Sequence, residues 1–276
     1  MQLLDEVRST CREIAANARS VSIDLDAARE PPPAPPRAAP QGDADFLLQL
    51  DAINFGSGWF PTLRKRQGLS GYRTIEAAFT ERGPWSNAEL RELDPAAVAA
   101  ALGQEPSHPL MRLYAQALRD LGRFLGGRST LDVVEEAGDS AERLAVLLAR
   151  GMRFFDDRGF YKRAQIVPSD LALAGAASFD DLDRLTIFAD NLVPHVLRVD
   201  GVLRYDPELA AHIDAELLLP QGQAEREIRA CAVHACEQLA ERFGITAREL
   251  DMRLWNAGQA PAYKAVPRHR TRGVYY

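Results

Sequence analysis

Apolar residues recur along most of the chain at spacings of three and four, which puts them on one face of a helix rather than on alternate faces of a strand. Leu3, Leu4, Val7, Cys11, Ile14 and Ala18 make such a stripe, with Asp5, Glu6, Arg8, Arg12 and Glu13 between them, and predict an amphipathic N-terminal helix of about 20 residues. A longer stripe at positions 228, 231, 232, 235, 239 and 243 runs up to Gly244 and predicts a buried-face helix over Ala224 to Phe243. Start signals agree with the spacing. Ser86 and Glu89 form an S-x-x-E box between Trp85 and Leu90, and Asp94 precedes Pro95. Asp139 with Glu142 is expected to open a helix over Ser140 to Arg150 that stops at Gly151, and Thr246 with Glu249 one that ends near Gly258. Strand patterning is confined to Val199 to Tyr205, which could form a short hairpin around Asp200-Gly201. The fold class is therefore all-α, with at most a small hairpin.

One segment interrupts this pattern. Pro31 to Pro40 holds six prolines, so it can be neither helix nor central strand and reads as a stiff connector. The chain then divides into an N-terminal amphipathic segment (1–30), a connector (31–43) and a helical body (44–276). The formal charge is 33 − 39 = −6, whereas proteins that track long nucleic acids carry a basic excess or a concentrated basic face, so no polymeric nucleic acid is expected as a partner. Three cysteines, an odd number in a long chain, point to a reducing cytoplasm. No apolar run approaches the roughly 20 residues that cross a bilayer, and no membrane role is expected. The chain has no G-x-x-x-x-G-K-[ST] loop, no G-x-G-x-x-G fingerprint, no H-E-x-x-H and no C-x-x-C pair. Cys231 and His234 share a helix face, but Cys236 points elsewhere and no fourth ligand lies at zinc-like spacing, so neither metal nor cofactor is expected.

Chemistry concentrates in four places. The segment Asp51 to Pro61 (DAINFGSGWFP) is forced into a loop by two glycines and a proline, yet carries Phe55, Trp59 and Phe60. Those rings suit a flat base stacked between them, with Asn54 and Asp51 on its polar edge, although aromatics on a loop more often plug it into the core. A second cluster, FYKRAQI, holds Lys162, and a third, LTIFADNLVPH, runs from Leu185 to His195. Asp190 lies four residues before Pro194, so a helix leading to it is expected to break near the acid and turn the carboxylate toward a cavity; a helix cap is the competing role. Lastly, Pro261 to Tyr276 carries Lys264, Arg268, His269, Arg270 and Arg272 and no acid. This tail is either a clamp for one phosphate or a solvated basic terminus, the commoner case for such a run, which its three tyrosines weaken.

Taken together, LDAINFGSGWFP, GFYKRAQI, LTIFADNLVPHVLRVDGVLRY, EIRACAVHACEQL, LDMRLWNAG and PRHRTRGVYY resemble the queuosine salvage protein family, in the family's order from about Leu50 onward. The resemblance implies an all-helical catalytic domain similar in fold to helix-hairpin-helix DNA glycosylases. It also implies hydrolysis of queuosine 5′-monophosphate to queuine and ribose 5-phosphate, as salvage for tRNA modification, with Lys162 and Asp190 as the functional lysine and aspartate. Two departures stand out: the loop NFGSGWFP lacks a continuous aromatic run, and Pro168 is expected to interrupt the helix after YKRAQI.

Breaking a ribosyl N–C bond builds positive charge on the sugar, which a carboxylate stabilises either by attacking the anomeric carbon or by activating a water. Asp190 is the candidate, with Lys162 as its electrostatic partner or as a donor to the base. Phe55, Trp59, Phe188 and Trp255 are expected to shape the base slot, and Asn54, Asp51 and Asn256 to read its edges. His269, Arg270 and Arg272 would take the phosphate, and Asn191, His195 and Tyr263 would complete the substrate contacts. Two rivals come from other classes. A base-flipping DNA glycosylase would need a glycine-rich duplex-gripping hairpin and a basic surface, and a non-enzymatic nucleotide-binding module would use the same slot without chemistry.

Overall fold

The computed structural model describes residues 2–33 and 42–276; the connector's residues 34–41 lie outside that description. The fold is helical, and its one sheet among the described residues has two short strands. Helix α1 (Leu3–Ala16) buries Leu3, Leu4, Val7 and Cys11 and packs along α12 (Gln223–Phe243), so the amphipathic stripe is covered as its spacing requires. It stops short of the expected 20 residues because Val21–Ile23 leaves the helix to form strand β1.

The body continues with α2 (Ala44–Ala52), α3 (Gly71–Arg82), α4 (Asn87–Glu92), α5 (Pro95–Leu102), α6 (Pro109–Leu125) and α7 (Thr130–Ala137), then α8 (Ala141–Gly151) and α9 (Lys162–Leu173). Several begin where the sequence signals a start. Ser86 and Glu89 bond reciprocally as a capping box, and Asp94 caps Ala97 N ahead of Pro95. Helix α8 departs from expectation: Ser140, not Asp139, is its cap, and the Glu142 carboxylate instead accepts from Leu4 N at 2.9 Å at the start of α1. An acid at that end complements the helix dipole and satisfies an otherwise orphaned donor, tying α1 to α8.

Helix α9 runs through Pro168 to Leu173 rather than breaking there. Packing against α2 and α8 outweighs the loss of one backbone bond, a cost of about 3 kcal/mol in a helix interior.

After α9 the chain crosses the core to α10 (Val193–Val199), strand β2 (Leu203–Tyr205), α11 (Pro207–Asp214), α12, α13 (Ala247–Ala257) and α14 (Pro261–Lys264). No hairpin forms around Asp200-Gly201. The residues that would supply its first strand finish α10, and β2 pairs instead with β1, antiparallel, with Val21 opposite Tyr205 and Ile23 opposite Leu203. Cys11, Cys231 and Cys236 are free and buried in the core, where burial pushes the Cys11 and Cys231 thiols up to about 12. Among the described residues no helix is long and apolar enough to cross a membrane.

Candidate active site

A cleft of about 450 Å³ opens between α3, α9, α13 and the segments 54–61, 188–195 and 263–270, within the size range that holds a single small ligand. Asp190 and Lys162 both line it, and Asp190 ends a buried crossing.

That crossing is the segment 185–190. No helix leads to Asp190; the backbone from Leu185 to Ala189 is non-helical and fully buried. A buried irregular segment survives only if its peptide groups find partners, and side chains from three helices supply them. Gln165 of α9 accepts from Thr186 N at 3.0 Å, Asp251 of α13 accepts from Phe188 N at 2.9 Å, and Arg229 of α12 donates to Ala189 O at 2.9 Å. Asp190 follows at once. Its Oδ1 accepts from Leu192 N at 2.7 Å and Val193 N at 3.2 Å, at the entry to α10, and Oδ2 makes no hydrogen bond among the described residues. The aspartate therefore both anchors the helix entry and faces the cleft; the two roles that the sequence set against each other coexist.

Lys162 is the first residue of α9. Its side chain is buried, and Nζ donates to Asn54 O at 3.3 Å. Burial pulls its pKa below the ordinary lysine value, against the opposing pull of Asp190 and Asp51. The attraction acts at a distance, for no ion pair within 4.0 Å joins Lys162 to Asp190. The residue before it, Tyr161, holds a left-handed backbone with φ of 50°, an uncommon conformation for a large side chain.

Of the other expected site residues, Asn54, Phe55, Phe188, Asn191, His195, Trp255, Asn256, Tyr263 and Arg270 line the cleft. Phe55 does so from below: it is 1% exposed and edge-on to Tyr114 and Phe154 at 5.0 and 5.7 Å, so most of the ring is core and only its rim is floor. His195 is buried, and its Nε2 lies 2.8 Å from Tyr263 O, which makes that nitrogen the donor and leaves Nδ1 as an unpartnered acceptor. Asn256 turns its amide back to Met252 O at 2.7 Å, and Asn191 donates to His269 O at 3.3 Å.

Four expected residues lie outside the lining. Asp51 is buried at the end of α2, behind Lys162. Trp59 is buried under the guanidinium of Arg272, 6.0 Å away. Arg272 itself points out to solvent on that side. His269 is 2% exposed, with neither ring nitrogen hydrogen-bonded among the described residues. Burial, with Arg268 adding repulsion, pushes its pKa down to about 3, so the ring is neutral.

Sequence reasoning omitted several lining groups from the expected contacts: Lys65, Tyr72, Arg73, Asp170, Lys264 and Arg268. Arg268 matters most. Its charge couples to Asp190, whereas Arg270, beside it, is held by the backbone carbonyl of Glu216. Its signal is the acid-free tail, in which Arg268 stands with Lys264, Arg270 and Arg272 as part of the candidate clamp. Lys65, Tyr72 and Arg73 had no signal, since they come from a loop and the first turn of α3, whose spacing is that of any amphipathic helix.

The cleft thus has aromatic side chains (Phe60, Phe188, Trp255), a carboxylate (Asp190), a buried cation (Lys162) and cations from the tail (Lys264, Arg268, Arg270) in its lining. That is the arrangement needed to stack a base, meet positive charge on a sugar and hold an anion. The family model described as queuosine salvage protein matches residues 34–276. A queuosine 5′-phosphate N-glycosylase/hydrolase of Sphaerobacter thermophilus is 33% identical over 98% of this chain and 97% of its own length. Proteins of the same name from Dictyostelium discoideum and Mus musculus are 41% and 32% identical, over 42% and 61% of this chain and 40% and 59% of their own lengths.

Proposed function

The chain belongs to the queuosine salvage protein family, and from that premise we propose that it hydrolyses the N-glycosidic bond of queuosine 5′-monophosphate. One water is consumed. Its hydroxyl ends on the anomeric carbon to give ribose 5-phosphate, and its proton ends on the departing base, queuine, which becomes available for tRNA modification. The observation that carries the reading is Asp190: a carboxylate lining a mononucleotide-sized cleft and fixed through Oδ1 by two backbone donors, with Oδ2 left for a ligand.

As the N–C bond lengthens, the ribose gains oxocarbenium character, and a fixed carboxylate stabilises it without first having to reorganise. The base stacks on Phe188 and Trp255 over the rim of Phe55, with Asn54 and Asn256 near its polar edge. Queuine is a 7-deazaguanine, so the ring nitrogen that purine hydrolases often protonate is a carbon, and help to the leaving group must reach another edge. Lys162 acts chiefly as a positive charge facing Asp190, and its lowered pKa also makes it a better proton donor than an exposed lysine. The phosphate falls to Arg268 and Arg270 with Lys264 beside them, a set shifted from the His269, Arg270 and Arg272 expected from sequence, because His269 is enclosed and Arg272 faces the other way.

A cleft of this size, in a chain of charge −6, suits a free nucleotide rather than a polymer, and the site of action proposed is the cytoplasm. Incubating the purified protein with queuosine 5′-monophosphate and following the products by mass tests the reading. Stoichiometric queuine and ribose 5-phosphate are expected; tight binding with no release of base would make the protein a nucleotide-binding module instead.

A further inference from the structure

Lys162 and Asp190 are 28 positions apart in sequence and sit on separate segments, yet one side chain from a third element bonds the backbone next to Asp190 and the carboxylate that contacts the backbone of Lys162. Arg229, on the buried face of α12, does not line the cleft. Its Nε donates to the carbonyl of Ala189 at 2.9 Å, the peptide unit whose nitrogen belongs to Asp190. The two terminal nitrogens grip the Asp157 carboxylate, Nη2 to Oδ2 at 2.5 Å and Nη1 to Oδ1 at 3.1 Å. Asp157 in turn governs the turn that delivers Lys162. Its carbonyl accepts from Phe160 N at 2.9 Å and Tyr161 N at 2.7 Å, and its Oδ2 lies 3.5 Å from Lys162 N. The left-handed Tyr161 stands in that turn, and such a backbone persists only where its surroundings over-determine it. The guanidinium plane is itself fixed, with Phe160 at 3.9 Å and Tyr276 at 4.7 Å from its central carbon, and Tyr276 borders the cleft.

Resting on the catalytic reading given above, we propose that Arg229 is a positioning residue: through Ala189 and Asp157 it sets the separation of the Asp190 carboxylate and the Lys162 ammonium. The task calls for arginine. Only a planar fork reaches a carbonyl with one nitrogen and both oxygens of a carboxylate with the other two, while a lysine supplies a single point donor. Because Asp190 is the group assigned to the ribose, a small displacement of that residue acts on the reacting geometry more than on the base and phosphate contacts that determine binding.

The test compares the full-length chain with Arg229→Lys, Asp157→Asn and the double variant, measuring kcat and KM on queuosine 5′-monophosphate together with circular dichroism. Arg229→Lys is expected to lower kcat about 30-fold or more, since a misplacement of about 1 Å costs on the order of 100-fold, with KM held within about threefold. Asp157→Asn should show the same split at about 10-fold, and the double variant should be little worse than Arg229→Lys, because both changes cut one linkage. A folded Arg229→Lys with wild-type kcat, or a loss that lies in KM, overturns the proposal. If Arg229→Lys does not fold, Asp157→Asn decides, since it keeps an acceptor of the same shape: reduced kcat at constant KM supports the linkage and unchanged kcat refutes it. A wild-type chain that releases no queuine overturns the catalytic reading and this inference with it, whereas an active wild type with unaltered variants overturns the inference alone.

Discussion

Arg268 and His269 are adjacent in sequence and do different work. Arg268 lines the cleft and feels the charge of Asp190, which is why it is proposed to hold the phosphate. A hydrogen bond to a charged group contributes roughly 1.5–3 kcal/mol, or about 10- to 150-fold in binding. Arg268→Ala is therefore expected to raise KM for queuosine 5′-monophosphate by at least about 10-fold and to leave KM for the free nucleoside nearly unchanged; equal losses on both substrates would remove Arg268 from the phosphate site. His269 faces inward instead. With its folded pKa near 3 against an ordinary 6.5, the unfolded chain binds the proton more readily than the folded one. Stability on its account is complete above about pH 6.5 and is lost as pH falls toward 3, by up to about 1.4 kcal/mol per pH unit. Urea unfolding at a series of pH values should show His269→Phe losing less stability than wild type between pH 6.5 and 4.5, and parallel curves would contradict this. A basic tail could be read from composition, but which of its side chains turn inward depends on the path of the backbone, and the alternation of Arg268, His269 and Arg270 gave no indication of it.

The loop 54–61 and the segment 270–272 meet without an intervening side chain. A Cβ on Gly58 would lie 2.5 Å from Thr271 O, so the loop depends on that glycine for its seat against the tail, and Gly56 N completes the join by donating to Tyr276 O at 2.9 Å. Gly58→Ala is expected to destabilise the protein by about 1–3 kcal/mol, the usual cost of overpacking, read as a lower midpoint of urea unfolding; an unchanged midpoint would show that the contact yields. At this scale most helices were legible, because spacing and caps such as Ser86, Asp94 and Thr246 are local signals. Three features were not, each set by distant partners. The crossing 185–190 is held by Gln165, Asp251 and Arg229, β2 finds its partner near the N-terminus, and the Glu142 carboxylate is drawn to α1. Asp190 stood out from its place before Pro194, where a cavity-facing acid and a helix cap competed, whereas Lys162 was implied only by the resemblance to a family.

For the molecule as a whole, a net charge of −6 coexists with Lys264, Arg268 and Arg270 brought by the tail to the lining of a cleft of about 450 Å³. Such a distribution fits the proposed small anionic substrate. The cleft is built from the loop 54–61, α3, α9, α13, the segment 188–195 and the tail, so its geometry is a property of the assembled core. Asp190 is where the parts meet, and asparagine at that position keeps an Oδ1 acceptor for Leu192 and Val193 while removing the negative charge. The most direct measurement is therefore turnover and equilibrium binding of queuosine 5′-monophosphate by Asp190→Asn. A fall in kcat of at least about 1,000-fold is expected, with binding retained in the range of the wild-type KM. Turnover close to wild type in the folded variant would contradict the account.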